Sequence, residues 1–142
     1  MRMPILQPIR KLLLFYLFLA PALVNASLLV VANIDKPISL SKSEVKAIFI
    51  GGATSYNLTA VGLTAENKTR ALFNARIIGM TESRIQSYWA QMRFSGRQKP
   101  PREFDSEEQL IDYLVEHEGT VSYVSSDVKL KAGIVILYRS DD

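Results

Sequence analysis

The chain has 142 residues, with 17 lysines and arginines against 14 aspartates and glutamates, and it contains no cysteine. The lack of cysteine excludes a disulfide framework, a thiolate metal site and a thiol nucleophile. The length allows one domain with a proper hydrophobic core and is too short for two.

Residues 1–26 have the layout of a secretory signal peptide. Three basic residues are followed by an uncharged apolar run over residues 12–24, and small residues precede Ser27. The alternative is an uncleaved membrane anchor, but the run is shorter than the roughly 20 apolar residues that a spanning helix needs. We therefore expect cleavage, a periplasmic location and no stable membrane insertion of the mature chain, residues 27–142.

The mature chain is formally neutral. The leader carries three of the seventeen basic residues and no acidic one, so residues 27–142 have fourteen of each sign. A neutral composition does not indicate a nucleic-acid-binding protein or a polybasic membrane patch. We therefore expect no nucleic-acid partner.

The first elements of the mature chain are predicted from apolar runs and caps. The sequence LLVVAN at residues 28–33 is typical of a buried strand. Ser41 and Glu44 form a capping box for a helix that ends at Gly51-Gly52. Weak alternation predicts a second strand over Thr59–Leu63.

The second half is predicted to hold three helices and then two strands. The first helix is predicted over 68–78, the second begins after Thr81, and the third begins at Asp105 or Ser106. The two strands are predicted over 121–124 and 133–138. Strands that alternate with helices favour an α/β fold with a mixed sheet of about four strands.

The turn before the second predicted helix carries hydroxyl, amide and cationic side chains. We identify five candidate ligand-binding residues there: Thr64, Asn67, Lys68, Thr69 and Arg70. Free N–H groups and the helix dipole favour an anion at a helix start, and lysine or arginine can neutralise it. The alternative is that Thr64 or Asn67 merely caps the helix, with Glu66 satisfying the dipole.

No established catalytic motif matches the chain, so we expect no enzymatic activity, no cofactor and no metal. The single histidine, His117, is accompanied by no nucleophile elbow or metal-binding helix. A hydrolase with a carboxylate pair is the remaining enzymatic alternative. The acidic residues Glu103, Asp105, Glu107 and Glu108 are interpreted as a solvated helix start, and Trp89 as a core residue.

Several motifs, weak one by one, resemble a known family in their order and spacing. They are LLVVAN at 28–33, LSKSEVKAIFIGG at 40–52, RALF at 70–73, SYWAQMRFSG at 87–96, Pro100-Pro101, and GTVSYV at 119–124. Together they resemble short, single-domain proteins of the periplasmic-binding-protein type, similar to phosphate ABC transporter substrate-binding components.

This resemblance implies an α/β, three-layer-like single lobe of the type II periplasmic binding protein fold over residues 27–142. It implies a non-enzymatic, exported protein that binds phosphate or another small oxyanion. The family's phosphate-contacting turn aligns with Leu63–Thr69, where its glycines and leading arginine are absent. The alternative is a periplasmic interaction or accessory module that has lost ligand binding and has an envelope protein as its partner.

Overall fold

The computed structural model describes residues 27–140, so the predicted signal peptide lies outside the described residues. Five strands are present in this range: β1 (Leu28–Asn33), β2 (Thr59–Leu63), β3 (Arg102–Phe104), β4 (Thr120–Ser125) and β5 (Ile134–Ser140). Four α-helices accompany them: α1 (Lys42–Phe49), α2 (Lys68–Phe73), α3 (Glu82–Phe94) and α4 (Glu107–Glu116). A π-helical turn, Asn74–Ile78, continues directly from α2.

The strands form one mixed sheet in the order β3-β2-β4-β1-β5. β2 is parallel to β3 and β4, whereas β1 is antiparallel to both β4 and β5. β1 is nearly continuously buried, which explains why it reads as an apolar run and not as an alternating pattern. β4 is buried to the same extent, although Ser122 lies within it. The α/β class and the mixed sheet are therefore confirmed.

The helices begin where the sequence predicts. Ser41 caps α1, its side chain accepts a hydrogen bond from the Glu44 backbone, and the Glu44 carboxylate accepts one from the Ser41 backbone in return. Thr81 and Ser106 cap α3 and α4 in the same manner, by accepting a hydrogen bond from the backbone three residues later. Each of these caps satisfies a backbone donor that the helix itself leaves unpaired.

Two elements differ from the sequence prediction. No strand is predicted after Pro100-Pro101, but Arg102–Phe104 pairs with β2 and raises the strand count from about four to five. The helix predicted over 68–78 changes to π geometry at Asn74, whose carbonyl accepts from the Gly79 backbone at 2.7 Å. The wider turn lets Asn74, Ile77 and Ile78 all be buried.

The core lies against the sheet and contains an aromatic cluster next to the predicted turn. The Phe73 ring stacks on the Tyr123 ring with centroids 3.9 Å apart, and Phe49 meets the edge of Phe73 at 4.8 Å. Trp89 is buried, as the sequence predicts. No helix within residues 27–140 has the length and apolar character needed to cross a bilayer.

Candidate functional site

The predicted turn connects β2 to α2, and hydrogen bonds of Asn67 and Thr64 stabilise it. The Asn67 side chain caps α2 by accepting from the Thr69 backbone at 2.9 Å. The Asn67 backbone donates to the Thr64 carbonyl, and the Thr64 backbone donates to Phe104 at the end of β3, both at 3.0 Å. Lys68 is exposed. The alternative of helix capping therefore holds for Asn67.

Arg70, the fifth predicted residue, is buried with only 7% of its surface exposed. Its guanidinium makes a bidentate pair with Glu82, with Nε to Oε2 at 2.9 Å and Nη2 to Oε1 at 2.6 Å. Nη1 donates to the Leu63 carbonyl at 2.6 Å and to Glu103 Oε1 at 2.5 Å. Four hydrogen bonds therefore occupy most of the five N–H donors of the guanidinium.

The two glutamates are held very differently. Glu82 accepts from Arg70 through both oxygens, and Asn74 at 2.8 Å and Gln86 at 2.6 Å add further hydrogen bonds. Among the described residues, the Glu103 side chain forms a hydrogen bond to Arg70 alone, and it is 40% exposed. The two side chains are similarly exposed, so they differ in attachment: several hydrogen bonds hold Glu82, whereas one holds Glu103.

The Arg70 charge controls the ionisation of Glu82. Burial by itself raises the pKa of Glu82, but hydrogen bonds from Arg70, Gln86 and Asn74, together with the Arg70 charge, outweigh burial and leave that pKa below its ordinary value. For Arg70, burial acts to lower the pKa, and its hydrogen bonds to Glu82 and Glu103 raise it overall. Both groups are therefore charged at neutral pH.

This pairing predicts a pH dependence of stability. Because the pKa of Glu82 is lowered in the folded state, ionised Glu82 stabilises the fold above its ordinary pKa of 4.5, and this contribution is lost as the pH falls through the lower folded value. We expect Glu82→Gln to be less stable than wild type near neutral pH, with a difference that shrinks in acid. Urea unfolding at several pH values measures it, with exposed Glu116→Gln as the charge-matched control. A difference that stays constant down to about pH 3 would contradict the assignment.

A small cavity of about 50 Å³ adjoins Arg70. Its walls include aromatic, proline and glycine residues: Phe49, Gly62, Phe73, Trp89, Pro101 and Tyr123. The Tyr123 hydroxyl accepts from the Leu63 backbone at 3.1 Å, and burial raises the pKa of Tyr123 to about 12. A cavity of this size has room for a few water molecules and is too small for an aromatic ligand. A larger group would reach Arg70 only if a side chain moved.

Three features bear on acid–base and metal chemistry: the Glu82 carboxyl, the His117 ring and the grouping of metal-ligating side chains. A carboxyl with a lowered pKa, as Glu82 has, cannot serve as a general acid near neutral pH. His117 lies exposed at the end of α4, where its ring Nδ1 is 2.7 Å from the Tyr113 carbonyl. Residues 27–140 contain no group of three or more side chains that could hold a metal ion.

Sequence reasoning missed the partners of Arg70. The interpretation of the acidic residues as a helix start is wrong for Glu103, which lies in β3 and pairs with Arg70. It holds for Glu107 and Glu108, which lie in the first turn of α4. Glu82 reads locally as an ordinary first-turn carboxylate of α3. The pairs span 12 and 33 residues, and no periodicity or cap marks such distant contacts.

The chain is similar to known proteins in structure and not in sequence. No protein-family model matches the chain, and no curated protein sequence matches it. Among solved structures, the chain is similar to an ABC-type phosphate transport receptor from Vibrio cholerae, with a TM-score of 0.58, 15% sequence identity and 79% of this chain covered. The match covers 46% of the receptor, so the chain spans less than half of that protein's length. At this identity the likeness shows the fold alone.

Proposed function

We propose that this chain is an exported, non-enzymatic solute-binding protein, a single lobe of the type II periplasmic binding protein fold, that binds phosphate or another small oxyanion. One observation carries the proposal: a buried arginine in α2, beside a cavity, holds one of its two counter-ions through a single hydrogen bond. Buried guanidinium groups suit oxyanions because their donors match two oxygens in one plane.

The proposed mechanism is an exchange of anions at Arg70. Glu103 leaves Nη1, and an oxygen of the incoming anion takes its place. Glu82 stays, since four hydrogen bonds hold its two oxygens. The exchange keeps the charge of the buried guanidinium compensated, whereas an anion added without the departure of Glu103 would face two carboxylates.

In this proposal the other four turn residues contact the anion from outside the cavity, since none of them lines it. Thr64, Lys68 and Thr69 stand between β2 and Arg70 in the sequence, and Asn67 fixes the turn by capping α2. Lys68 is exposed and offers a cation to an anion in solvent. Such exposed contacts are screened by water and salt, so Arg70 is expected to contribute most of the affinity.

Isothermal titration calorimetry of residues 27–142 with phosphate and sulfate tests the proposal. We expect millimolar binding to wild type and, because Glu103→Gln removes the competing charge, about tenfold tighter binding to that variant, which corresponds to about 1.4 kcal/mol. Thr69→Ala is expected to weaken binding severalfold.

Glu116→Gln is the matched control, since it removes one exposed carboxylate far from Arg70 in the sequence and is expected to leave affinity unchanged. An equal gain in affinity in Glu116→Gln and Glu103→Gln would show that the gain comes from net charge and not from the Arg70 site. No heat at millimolar ligand in wild type, Glu103→Gln and Thr69→Ala alike would overturn oxyanion binding.

A second candidate function is favoured by a specific observation. Arg70 is already neutralised by two of the chain's own carboxylates, and the match covers only 46% of the similar receptor. An envelope interaction module that has lost ligand binding fits both facts. It predicts no anion binding by any variant above and a crosslinked protein partner in periplasmic extract.

Export is part of the proposal and rests on the leader-like sequence of residues 1–26. Cleavage before Ser27 is expected to give a periplasmic chain that begins at that residue. Intact mass measurement of the chain recovered from the periplasmic fraction checks this expectation, and recovery of the full-length mass from membranes would favour the anchor instead.

A further inference from the structure

The end of α3 presents the most exposed large apolar side chain among the described residues. Phe94 is 97% exposed, and the only other exposed large hydrophobic residue within residues 27–140 is Val115, at 41%. All seven residues from Arg93 to Lys99, which we call the basic loop, are exposed. A single exposed hydrophobic residue is common on protein surfaces, so the residues around Phe94 decide what its exposure means.

The basic loop is held in a defined conformation. The Gly96 backbone donates to the Arg93 carbonyl and the Arg97 backbone to the Met92 carbonyl, both at 3.1 Å, with Gly96 at a φ of 68°. These two bonds and the left-handed glycine form a Schellman motif, which ends the helix sharply. Gln98 Nε2 then donates to the Gly51 carbonyl at 2.7 Å. Phe94 is therefore presented by an ordered helix end.

The charges around Phe94 have one sign. Arg93, Arg97 and Lys99 belong to the basic loop, which contains no carboxylate. None of the three cations forms an ion pair with another described residue. The nearby Arg102 differs, because its guanidinium lies 5.0 Å from the Tyr113 ring centroid and 5.2 Å from that of Phe104. The mature chain is neutral overall, so this concentration of positive charge is local.

We propose that the basic loop is a docking surface for an anionic lipid bilayer, with the Phe94 ring inserted at the headgroup boundary and the three cations on lipid phosphates. A protein interface of ordinary size has an apolar core of many residues. The basic loop instead offers one ring surrounded by cations and small polar residues. This arrangement matches the bilayer interface, where an aromatic side chain enters and arginine and lysine remain among the headgroups.

The association is reversible and sensitive to salt. One aromatic ring and three cations give a weak membrane anchor. Stable membrane attachment usually needs two anchoring signals, and a single one gives reversible binding. The attraction of surface cations to an anionic leaflet also decreases within a Debye length, so salt weakens it. The contact orients the domain at a membrane and does not insert it.

Vesicle co-sedimentation tests the proposal with the chain that lacks residues 1–26, which retains every described helix and strand. The probes are vesicles of phosphatidylglycerol with phosphatidylethanolamine, and neutral vesicles of phosphatidylcholine. We expect binding to the anionic vesicles alone, weakened at high salt. Phe94→Ser is expected to lower the partition coefficient by about tenfold or more. Each cation removed from the basic loop is expected to lower it by about fivefold.

Matched control variants distinguish binding through the basic loop from the effects of net charge and of exposed apolar surface elsewhere. Arg97→Gln/Lys99→Gln is compared with Lys36→Gln/Lys129→Gln, which removes two exposed lysines elsewhere, and Phe94→Ser with Val115→Ser. Circular dichroism checks that all variants are folded. Equal losses in the paired variants, or no binding to anionic vesicles, would overturn the proposal. Phe94-dependent binding of a soluble acidic protein without vesicle binding would overturn it too, in favour of a protein partner.

Discussion

Replacing Phe73 with alanine is expected to lower the free energy of unfolding by about 4 kcal/mol. The Phe73 side chain is 2% exposed, stacks on Tyr123 at 3.9 Å and meets Phe49 at 4.8 Å. Its removal loses the transfer free energy of a whole ring and leaves a space between α1, α2 and β4 that these elements cannot close. The loss of the aromatic contacts adds to the cost.

Phe94→Ala is the same substitution as Phe73→Ala, made at a residue that is exposed and not buried. Because Phe94 is 97% exposed, we expect a change within about 0.5 kcal/mol, and the alanine is a good helix former. Urea unfolding of both variants, followed by circular dichroism, gives the two free energies by linear extrapolation. Similar losses in the two variants would mean that the aromatic cluster is not a tightly packed part of the core.

The second large effect is expected at Arg70. Arg70→Met keeps much of the side-chain volume but leaves Glu82 and Glu103 without their cation and the Leu63 carbonyl without this donor. Removing one partner of a buried ion pair costs about 3–5 kcal/mol. The glutamate side chains are 33% and 40% exposed, so solvent moderates the penalty, and we expect about 2–3 kcal/mol.

Two comparisons make the Arg70 prediction specific. Lys68→Met changes an exposed residue of the same helix in the same way and is expected to be nearly neutral. The double variant Arg70→Met/Glu82→Gln removes the stranded charge as well, so its cost is expected to be smaller than the sum of the two single costs. Additive losses measured by urea unfolding would show that the two side chains are not coupled.

Local patterns in the sequence were enough for the elements that form by local rules. The capping box of Ser41 and Glu44, the caps Thr81 and Ser106, and the apolar run of β1 all depend on residues within one turn or one strand. The three residues of β3 carry no periodicity and become a strand only because β2 offers an edge beside them. Their pairing is a tertiary effect that propensity cannot detect.

The candidate site shows the same division. The strand, turn and helix around residues 59–70 could be predicted, and Arg70 was one of the five residues predicted to hold an anion. Its partners could not be predicted, because Glu82 and Glu103 reach it from α3 and β3 through the folded structure. Whether the five turn residues bind a ligand stays a prediction, and the exchange of Glu103 is the step on which it depends.

The position of β1 in the sheet has a consequence for how the chain folds. Its only strand neighbours in the described sheet are β4 and β5, and Leu28 pairs with both Ser125 and Ser140 near the other end of the chain. β1 is the first strand to be synthesised, but it can therefore form β-sheet hydrogen bonds only after β4 or β5 is available. Closing so long a loop delays folding, and an unpaired apolar strand invites association with other chains. A chain that ends before residue 120 lacks both β4 and β5, so β1 has no strand to pair with and the sheet cannot be completed.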